Sequence, residues 1–203
     1  IKKHNPNAKV VFVGPCAAKK LEAMRRSVRS EVDFVLTFEE MSGIFDARQV
    51  DVSALEEDPD GVSDASVDGR NFAVSGGVAK SVENVIREKY PDREIKMANA
   101  EGLKECRKLL TMAKAGKYNG YLLEGMACPG GCVGGGGQPI HDGEELAHTR
   151  GANLYFLDKN AKIRFSHENQ DVMKLYNDFL EKPLSHKSHM LLHTDHTKWD
   201  MPR

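Results

Sequence analysis

An uninterrupted apolar run near the start of the chain predicts a buried strand. Lys9–Val13 forms this run, and Gly14, Pro15 and Cys16 interrupt it. The composition from Cys16 to about Arg29 is typical of a helix, and Pro15 lies where proline suits a helix start. Cys16 is therefore expected at the carboxyl end of a strand, where open α/β sheets bind their ligands.

The same order of strand and helix repeats further along the chain. Asp33–Leu36 is predicted to be a strand, and Thr37 with Glu40 has the spacing of a capping box for a helix that reaches about Arg48. A strand, helix, strand, helix and strand are then predicted at Phe72–Ser75, Val78–Lys89, Glu94–Ala98, Glu101–Lys117 and Gly120–Leu123. This alternation predicts an α/β fold, with a mostly parallel sheet flanked by helices.

The remaining segments predict a surface loop and further helices. The acidic stretch of residues 49–70 is typical of a solvated loop. After Pro139 the chain is expected to be mostly helical, with one helix over Asp171–Glu181. We therefore predict an α/β lobe over residues 1–165 and a helical C-terminal extension over residues 166–203 that packs on the same domain.

Composition narrows the classes of function. The 203 residues include 29 Lys and Arg against 30 Asp and Glu, a net charge of -1, so neither nucleic acid nor an acidic membrane surface is expected as a partner. No apolar stretch approaches the roughly 20 residues that a membrane span requires. A cytoplasmic protein is expected. Since the chain begins with Ile1, we also expect an excised piece or a processed product.

Cysteine chemistry is the strongest functional signal in the chain. Without an export signal, the four cysteines are expected to serve as ligands or in redox chemistry rather than in disulfides. The spacing of Cys128 and Cys132 by itself permits zinc. Six glycines within residues 130–137 favour an iron–sulfur cluster, because a chain stripped of side chains can bring backbone N–H groups close to an anion with many acceptor atoms.

The other two cysteines are less certain ligands. A thiol at a helix N-terminus is favoured as a thiolate, so Cys16 is a candidate ligand or nucleophile, and Lys19 could direct its ammonium to an anionic ligand one turn later. A small buried cysteine beside solvated lysines explains the same pattern. Cys106 lies on the apolar stripe of a predicted helix, which is typical of a small hydrophobe, although it could also complete a four-cysteine cluster site.

Four histidines near the end of the chain recur at steps of three, four and three residues. This spacing would align them on one helix face, as in a metal site. No carboxylate or cysteine completes the set, so packing and surface histidines are the expected interpretation. The four are His186, His189, His193 and His196.

The chain resembles the C-terminal domain family of the iron-only hydrogenase large subunit over essentially its whole length. The segments that carry the resemblance, in the family's order, are Gly14–Glu22, Ser75–Val78, Glu124–Pro139, Ser166–Asn169 and Lys187–Thr194. The resemblance implies an [FeFe]-hydrogenase catalytic domain that reversibly converts H2 to protons and electrons. Its cofactor would be an H-cluster, in which a [4Fe-4S] cluster is joined through a cysteine thiolate to a two-iron subcluster with carbonyl and cyanide ligands.

The resemblance also implies a ligand set. Cys16 and Cys128 would bind the [4Fe-4S] cluster and Cys132 would bridge both parts of the cofactor. Pro15 and Gly131 would belong to the same cofactor-binding set. Cys16 is accordingly expected to lie near Cys128 and Cys132 in the folded chain.

Three further residues and several partners follow from the resemblance. Lys19 would donate a hydrogen bond to a cyanide, Met126 would pack against the two-iron unit, and Glu22 occupies a position that is usually acidic. The substrates would be H2 and protons. A ferredoxin or an accessory iron–sulfur domain would be the electron partner, and an N-terminal lobe of the same protein would complete the domain.

Two departures from the family pattern leave alternatives open. Gly14 stands where the family commonly has methionine, which favours a slow or sensory hydrogenase-like module. The motif Thr-Ser-Cys-Cys-Pro, which supplies the fourth cluster cysteine and the proton-relay cysteine, does not occur in this chain, so the chain alone is expected to be inactive. An iron–sulfur carrier or assembly protein without the two-iron unit is the remaining alternative.

Overall fold

The computed structural model describes most of the chain as two compact units. The described residues are 1–28, 31–56, 58, 64–140, 142–194 and 197. The first unit comprises Ile1–Asp60, Gly135–Asp142 and Leu180–Arg203, and the second comprises Gly61–Gly134 and Gly143–Phe179. The boundary predicted between residues 165 and 166 stays a prediction.

The first unit is built on a two-stranded parallel sheet. Strand β1 (Val11–Gly14) is followed by helix α1 (Ala18–Met24), and strand β2 (Phe34–Thr37) is followed by helix α2 (Phe38–Ala47). The sheet register pairs Val11 with Phe34. The predicted order of strand and helix is confirmed here. The first helix is shorter than expected, because a separate 3₁₀ turn follows it at Arg26–Val28.

The predicted capping box at the start of α2 is present. The Thr37 hydroxyl accepts from the Glu40 amide (3.1 Å), and the Glu40 carboxylate accepts from the Thr37 amide (2.8 Å). Lys20 binds the same carboxylate at 2.5 Å. The Lys20 ammonium, together with the Thr37 amide, lowers the pKa of Glu40. The two reciprocal bonds satisfy two backbone N–H groups at the start of α2.

The second unit contains the other parallel pair. Helix α5 (Leu103–Lys114) connects strand β3 (Lys96–Glu101) to strand β4 (Tyr121–Met126), with Lys96 opposite Tyr121. All three elements were predicted, with boundaries that differ by one to three residues. The chain is thus α/β with parallel strands and flanking helices, as expected, although its described strands form two separate two-stranded sheets.

Five more α-helices occur in the described part of the chain. Helices α3 (Val67–Asn71) and α4 (Gly77–Lys89) precede β3, and α6 (Ala147–Lys159) and α7 (Gln170–Leu175) follow β4, all in the second unit. A π-helical turn at Tyr176–Leu180 continues α7, so the helix predicted over Asp171–Glu181 changes its winding partway. The last described helix is α8 (His186–Leu192) in the first unit.

The strand predicted at Phe72–Ser75 is wrong. These residues form a turn after α3, in which the amides of Ala73 and Val74 donate back to the carbonyl oxygens of Arg70 and Asn71. The Ser66 hydroxyl caps α3 by accepting from the Gly69 amide (3.0 Å), and this cap starts helical winding that the apolar run continues. Short apolar runs occur in buried turns as well as in strands, so the pattern could not distinguish the two.

The loop predicted over residues 49–70 is only partly correct. A 3₁₀ turn at Val52–Ala54 and the start of α3 lie within it, and residues 57 and 59–63 lie outside the described part of the chain. Asp68 on α3 is 5% exposed and accepts from the Asn84 side chain (2.9 Å), which places this end of the segment in the interior. No helix in the described ranges is both long and apolar enough to cross a membrane.

Gly77 provides a test of the tight turn between α3 and α4. A Cβ built at Gly77 would lie 1.8 Å from the Asn71 carbonyl oxygen, whereas one built at Gly151 within α6 would meet only Val74 Cγ2, at 3.9 Å. We expect Gly77→Ala to lower the free energy of unfolding by about 1–3 kcal/mol because the backbone must shift. The matched control Gly151→Ala is expected to raise it by about 0.5–1 kcal/mol. Chemical denaturation of both variants measures the difference, and equal effects would contradict the described turn.

Asp33 provides a test of the first unit's dependence on pH. Its carboxylate binds Lys2 (2.8 Å) and accepts from the Val10 amide (2.8 Å), and these two contacts lower the pKa of Asp33 from 3.8 to about 2. A lowered pKa means that the contribution to stability is complete above pH 3.8 and is lost as the pH falls through about 2. Asp33→Asn should therefore lower the melting temperature at neutral pH. Below about pH 2, where Asp33 is protonated, the substitution should leave the melting temperature unchanged. Glu31→Gln, which removes only the 4.0 Å contact to Lys2, is the control.

Candidate iron–sulfur site

The segment that carries two of the cysteines is seated on a turn of the second unit. We call residues 128–134 the cysteine loop and residues 73–77 the seating turn. The Ser75 amide donates to the Gly130 carbonyl oxygen (3.0 Å), and the Val133 amide donates to the Ala73 carbonyl oxygen (3.0 Å). Val133 is 5% exposed and belongs to the core of this unit. The cysteine loop is therefore held by the protein's own backbone.

Glycine is required where the cysteine loop meets the seating turn. Gly131 has φ +91°, and a Cβ built there would lie 2.6 Å from the Ser75 nitrogen and 2.9 Å from the Ala73 carbonyl oxygen. A Cβ at Gly134 would lie 2.1 Å from the Pro129 carbonyl oxygen. No side chain fits at either position, so these glycines allow two stretches of backbone to touch.

Several loop amides that were expected to face a bound anion are used within the chain. The Gly130 amide donates to the Glu101 carboxylate (2.9 Å) at the end of β3. The amides of Gly131 and Gly134 donate to carbonyl oxygens of the loop itself, at 3.0 and 3.1 Å. The glycine-rich composition is therefore explained first by packing of the chain on itself. A Cβ at Gly136, by contrast, would meet no heavy atom of the described residues within 4 Å.

The glycines after the cysteine loop belong to the first unit, where they meet the segment that precedes Cys16. The Gly137 amide donates to the Pro15 carbonyl oxygen (2.9 Å), and the Glu39 amide donates to the Gly137 carbonyl oxygen (3.1 Å). A Cβ at Gly137 would lie 2.8 Å from Thr37 Cγ2. The backbone at Pro15 is thereby tied to the glycine-rich segment.

Cys16 lies where the sequence predicts, between β1 and α1. The strand ends at Gly14 and the helix begins at Ala18, with Ala17 in the N-cap position. Cys16 is partly exposed, as are the other three cysteines. The helix has only seven residues, so its dipole offers less to a thiolate than the longer predicted helix would have.

Lys19 and Glu22 are joined to each other on α1. The Lys19 ammonium donates to the Glu22 carboxylate, and the two side chains are 45% and 42% exposed. Both line a cavity of about 210 Å³ together with apolar side chains of β1, α1, β2 and the segment between α1 and β2, among them Phe12 and Val35. The pair places a fixed ammonium near a pocket within one unit.

Cys106 packs against the end of the β3–β4 sheet. Its Sγ lies 3.4 Å from the carbonyl oxygens of both Ala100 and Met126, and a Cβ built at Gly125 would lie 3.3 Å from it. The thiol, a weak donor, thus lies beside two backbone carbonyl acceptors, as a small half-buried side chain would. The described residues contain no group of three or more His, Cys, Asp or Glu side chains arranged to hold a metal ion.

The predicted alignment of histidines along one helix does not extend past the end of α8 at Leu192. His186 and His189 lie on α8, and His193 follows the helix in an extended conformation. The rings of His189 and His193 stack with their centroids 4.5 Å apart. His196 lies outside the described residues. Stacked rings favour the packing interpretation over a metal site.

The structure brings together some of the predicted site residues. Cys128, Gly131 and Cys132 share the cysteine loop, and Met126 ends the strand that leads into it. Convergence of Cys16 with this loop stays a prediction. Sequence reasoning missed Glu101, which was predicted to begin a helix but ends strand β3. The one available signal was an acidic residue shortly after a predicted strand.

Family models match nearly the whole chain. Residues 1–136 match the family described as "Iron only hydrogenase large subunit, C-terminal domain". Residues 144–199 match the family described as "Iron hydrogenase small subunit". The second match begins upstream of the extension that was predicted to start at residue 166, and it includes α6.

Curated relatives fall into two groups. The "NADP-reducing hydrogenase subunit HndD" of Solidesulfovibrio fructosivorans is 36% identical over 93% of this chain and 38% of its own length. "Iron hydrogenase 1" of Clostridium pasteurianum is 28% identical over 95% of this chain and 40% of its own length. The "Cytosolic iron-sulfur assembly component 3" of Mus musculus is 28% identical over 95% of this chain and 48% of its own length. The chain thus spans less than half of each of these relatives.

Solved structures agree with the family models. An [FeFe]-hydrogenase reported under the name HydA(deltaEFG) matches with a TM-score of 0.72 and 27% identity, over 95% of this chain and 65% of that one. A variant of the [FeFe]-hydrogenase HydA1 of Chlamydomonas reinhardtii matches with a TM-score of 0.73 and 27% identity, again over 95% of this chain and 65% of that one. The chain therefore belongs to the family of C-terminal domains of the iron-only hydrogenase large subunit.

Proposed function

We propose that this chain forms the C-terminal part of a hydrogenase catalytic domain that interconverts H2 with protons and electrons. The observation that carries the proposal is the cysteine loop, whose two cysteines are held on a backbone seat within a domain of the hydrogenase family. The relatives named as hydrogenases are longer than this chain. The complete activity would therefore belong to a protein in which this domain is one part.

The residues of the cysteine loop fit an iron–sulfur cofactor. On the seating turn, the Ser75 hydroxyl oxygen is buried and has no hydrogen-bond partner among the described residues. The Ser75 amide donates to Gly130 of the cysteine loop. A buried hydroxyl of this kind is costly unless a further acceptor satisfies it. A cluster sulfide or a ligating thiolate is an acceptor of the required kind. The donor set of thiolates also suits iron–sulfur chemistry.

In this proposal the cysteines divide the cofactor between them. Cys16 and Cys128 would hold the [4Fe-4S] cluster, and Cys132 would hold both that cluster and the two-iron subcluster. Pro15 and Gly131 would shape the chain beside these ligands. When bound, the two-iron subcluster supplies the cleavage of H2, which no amino-acid side chain can perform.

Covalent chain length supports the convergence of Cys16 with the cysteine loop. Gly137 is hydrogen-bonded to Pro15, the neighbour of Cys16, and lies five residues after Cys132. Five residues span at most about 18 Å when fully extended. A cluster that is ligated from both segments is compatible with this tether.

The charged pair on α1 would serve the same site. Glu22 holds the Lys19 ammonium by a direct hydrogen bond, which restricts its rotamers. Lys19 would donate to a cyanide ligand and Met126 would pack beside the two-iron unit. Electrons would pass to a ferredoxin or an accessory iron–sulfur domain, and an N-terminal lobe would supply the remaining cluster ligand.

An iron–sulfur assembly role is the second candidate. It is favoured by relatives such as the mouse cytosolic iron–sulfur assembly component, which matches 95% of this chain. The hydrogenase subunit HndD has the higher identity, 36% against 28%, and the cysteine loop is intact. We therefore place hydrogen chemistry first. A sensory role, motivated by Gly14, would use the same cofactor.

The proposed function is tested on the full-length protein, loaded under anaerobic conditions with iron, sulfide and the two-iron subcluster. We expect H2-dependent reduction of a viologen dye, loss of that activity in Cys132→Ser, and retention in Cys106→Ser, because the Cys106 thiol packs on the sheet. Infrared spectra should show iron-bound carbonyl and cyanide. Cysteine-dependent iron and sulfide binding without these bands would instead support the assembly role.

A further inference from the structure

Glu124 is a buried carboxylate with no place in the cysteine chemistry. It lies on β4, four residues before Cys128, and is 8% exposed. One carboxylate oxygen accepts from the Gly76 amide (2.8 Å) and the other accepts from the Ala79 amide (2.6 Å). A buried carboxylate is costly unless its acceptors are satisfied, so these two bonds explain why it is tolerated here.

The two amides that bind Glu124 lie at the start of α4. Gly76 is the N-cap residue, and it has no side chain that could cap the helix. Ala79 is the third residue of the helix, whose N–H a capping side chain would normally satisfy. Glu124 thus caps α4 from a neighbouring strand, and the positive end of this 13-residue helix favours its negative charge.

The start of α4 is also the end of the seating turn. Gly76 has φ +88°, and Ser75 immediately before it donates to Gly130 of the cysteine loop. The turn that Glu124 holds therefore contains the amide that binds the loop and, at Ala73, the carbonyl oxygen that accepts from Val133. A hydrogen-bonded circuit runs from β4 through Glu124 and the turn to the loop that continues β4.

We infer that Glu124 is a positioning residue for the cysteine loop. By fixing the seating turn, it sets the backbone on which Cys128 and Cys132 are presented, before any cluster binds. The effect on the loop follows from the hydrogen bonds of this chain alone, and its link to iron rests on the proposed function. No contact of Glu124 with substrate or cofactor is required.

Because two amides donate to the Glu124 carboxylate, the substitutions Glu124→Gln and Glu124→Asp are expected to have different effects. Glutamine has the same length, but it would present an NH₂ group to one of the two amides and so lose an acceptor. Aspartate keeps both oxygens but is shorter by one methylene, so it can keep at most one bond at its present length. Glu124→Gln also removes the negative charge at the start of α4, whereas Glu124→Asp keeps it, so Glu124→Gln should free the turn more.

Glu83 is a matched control on the same helix. It is 6% exposed, close to the value for Glu124, and its carboxylate binds Lys80 (2.7 Å) and Arg87 (2.6 Å). Those partners are side chains of α4 itself, so both ion pairs lie within the helix. Glu83→Gln therefore removes buried carboxylate charge from the second unit without touching the circuit.

The test is amide hydrogen exchange in the cluster-free chain, followed by NMR at the Ser75 and Val133 amides. We expect Glu124→Gln to speed exchange at both by roughly tenfold or more, the change expected from losing a hydrogen bond to a charged group. The Leu109 amide in the core helix α5 should change no more than it does in Glu83→Gln. Equal acceleration by Glu124→Gln and Glu83→Gln, or no acceleration at Ser75 and Val133, would overturn the inference.

A second variant keeps the test decisive if Glu124→Gln does not fold. In Glu124→Asp, the Ser75 and Val133 amides should exchange faster than in the wild type and in Glu83→Gln, but more slowly than unprotected amides. Rates no higher than in Glu83→Gln would overturn the inference. In the iron-loaded full-length protein, Glu124→Asp should also broaden the electron paramagnetic resonance signal of the cluster. Failure of the wild-type protein to bind iron would count against the proposed function and leave the exchange result standing.

Discussion

The direct contact between two stretches of backbone, at Gly131 and the seating turn, is the constraint on which the cysteine loop depends. A Cβ at Gly131 would lie 2.6 Å from the Ser75 nitrogen, so the approach is possible only for glycine. The hydrogen bonds of Ser75 and Val133 on either side of this contact then fix the loop in two places. Glu124 holds the opposite end of the turn and closes the circuit.

A similar close backbone contact at a glycine is present in the first unit. Gly137 has no room for a side chain between Pro15 and Thr37, and its amide and carbonyl oxygen are both bonded there. Each segment that carries a cysteine is thus held by a closely packed glycine near that cysteine. The chain belongs to the iron-only hydrogenase family, and each segment that carries a proposed ligand is already shaped by protein contacts.

Local patterns predicted the parts of this structure that depend on neighbouring residues. The capping box of Thr37 and Glu40 and the parallel β–α–β units follow from spacing and composition, and all are present. The turn at residues 72–75 was mistaken for a strand, because its shape depends on the close approach of Gly77 to Asn71. Glu124 could not be predicted as a cap, since its partners lie 45 and 48 residues away.

Convergence of Cys16 with the cysteine loop is the central claim, and short bis-thiol cross-linking of the cluster-free chain tests it most directly. The cross-linked chain would be digested and the linked peptides identified by mass spectrometry, with Cys106→Ser as the background to remove the fourth thiol. The account predicts peptides that join Cys16 to Cys128 or to Cys132. Links between Cys128 and Cys132 alone, with Cys16 modified only at one end of the reagent, would contradict it.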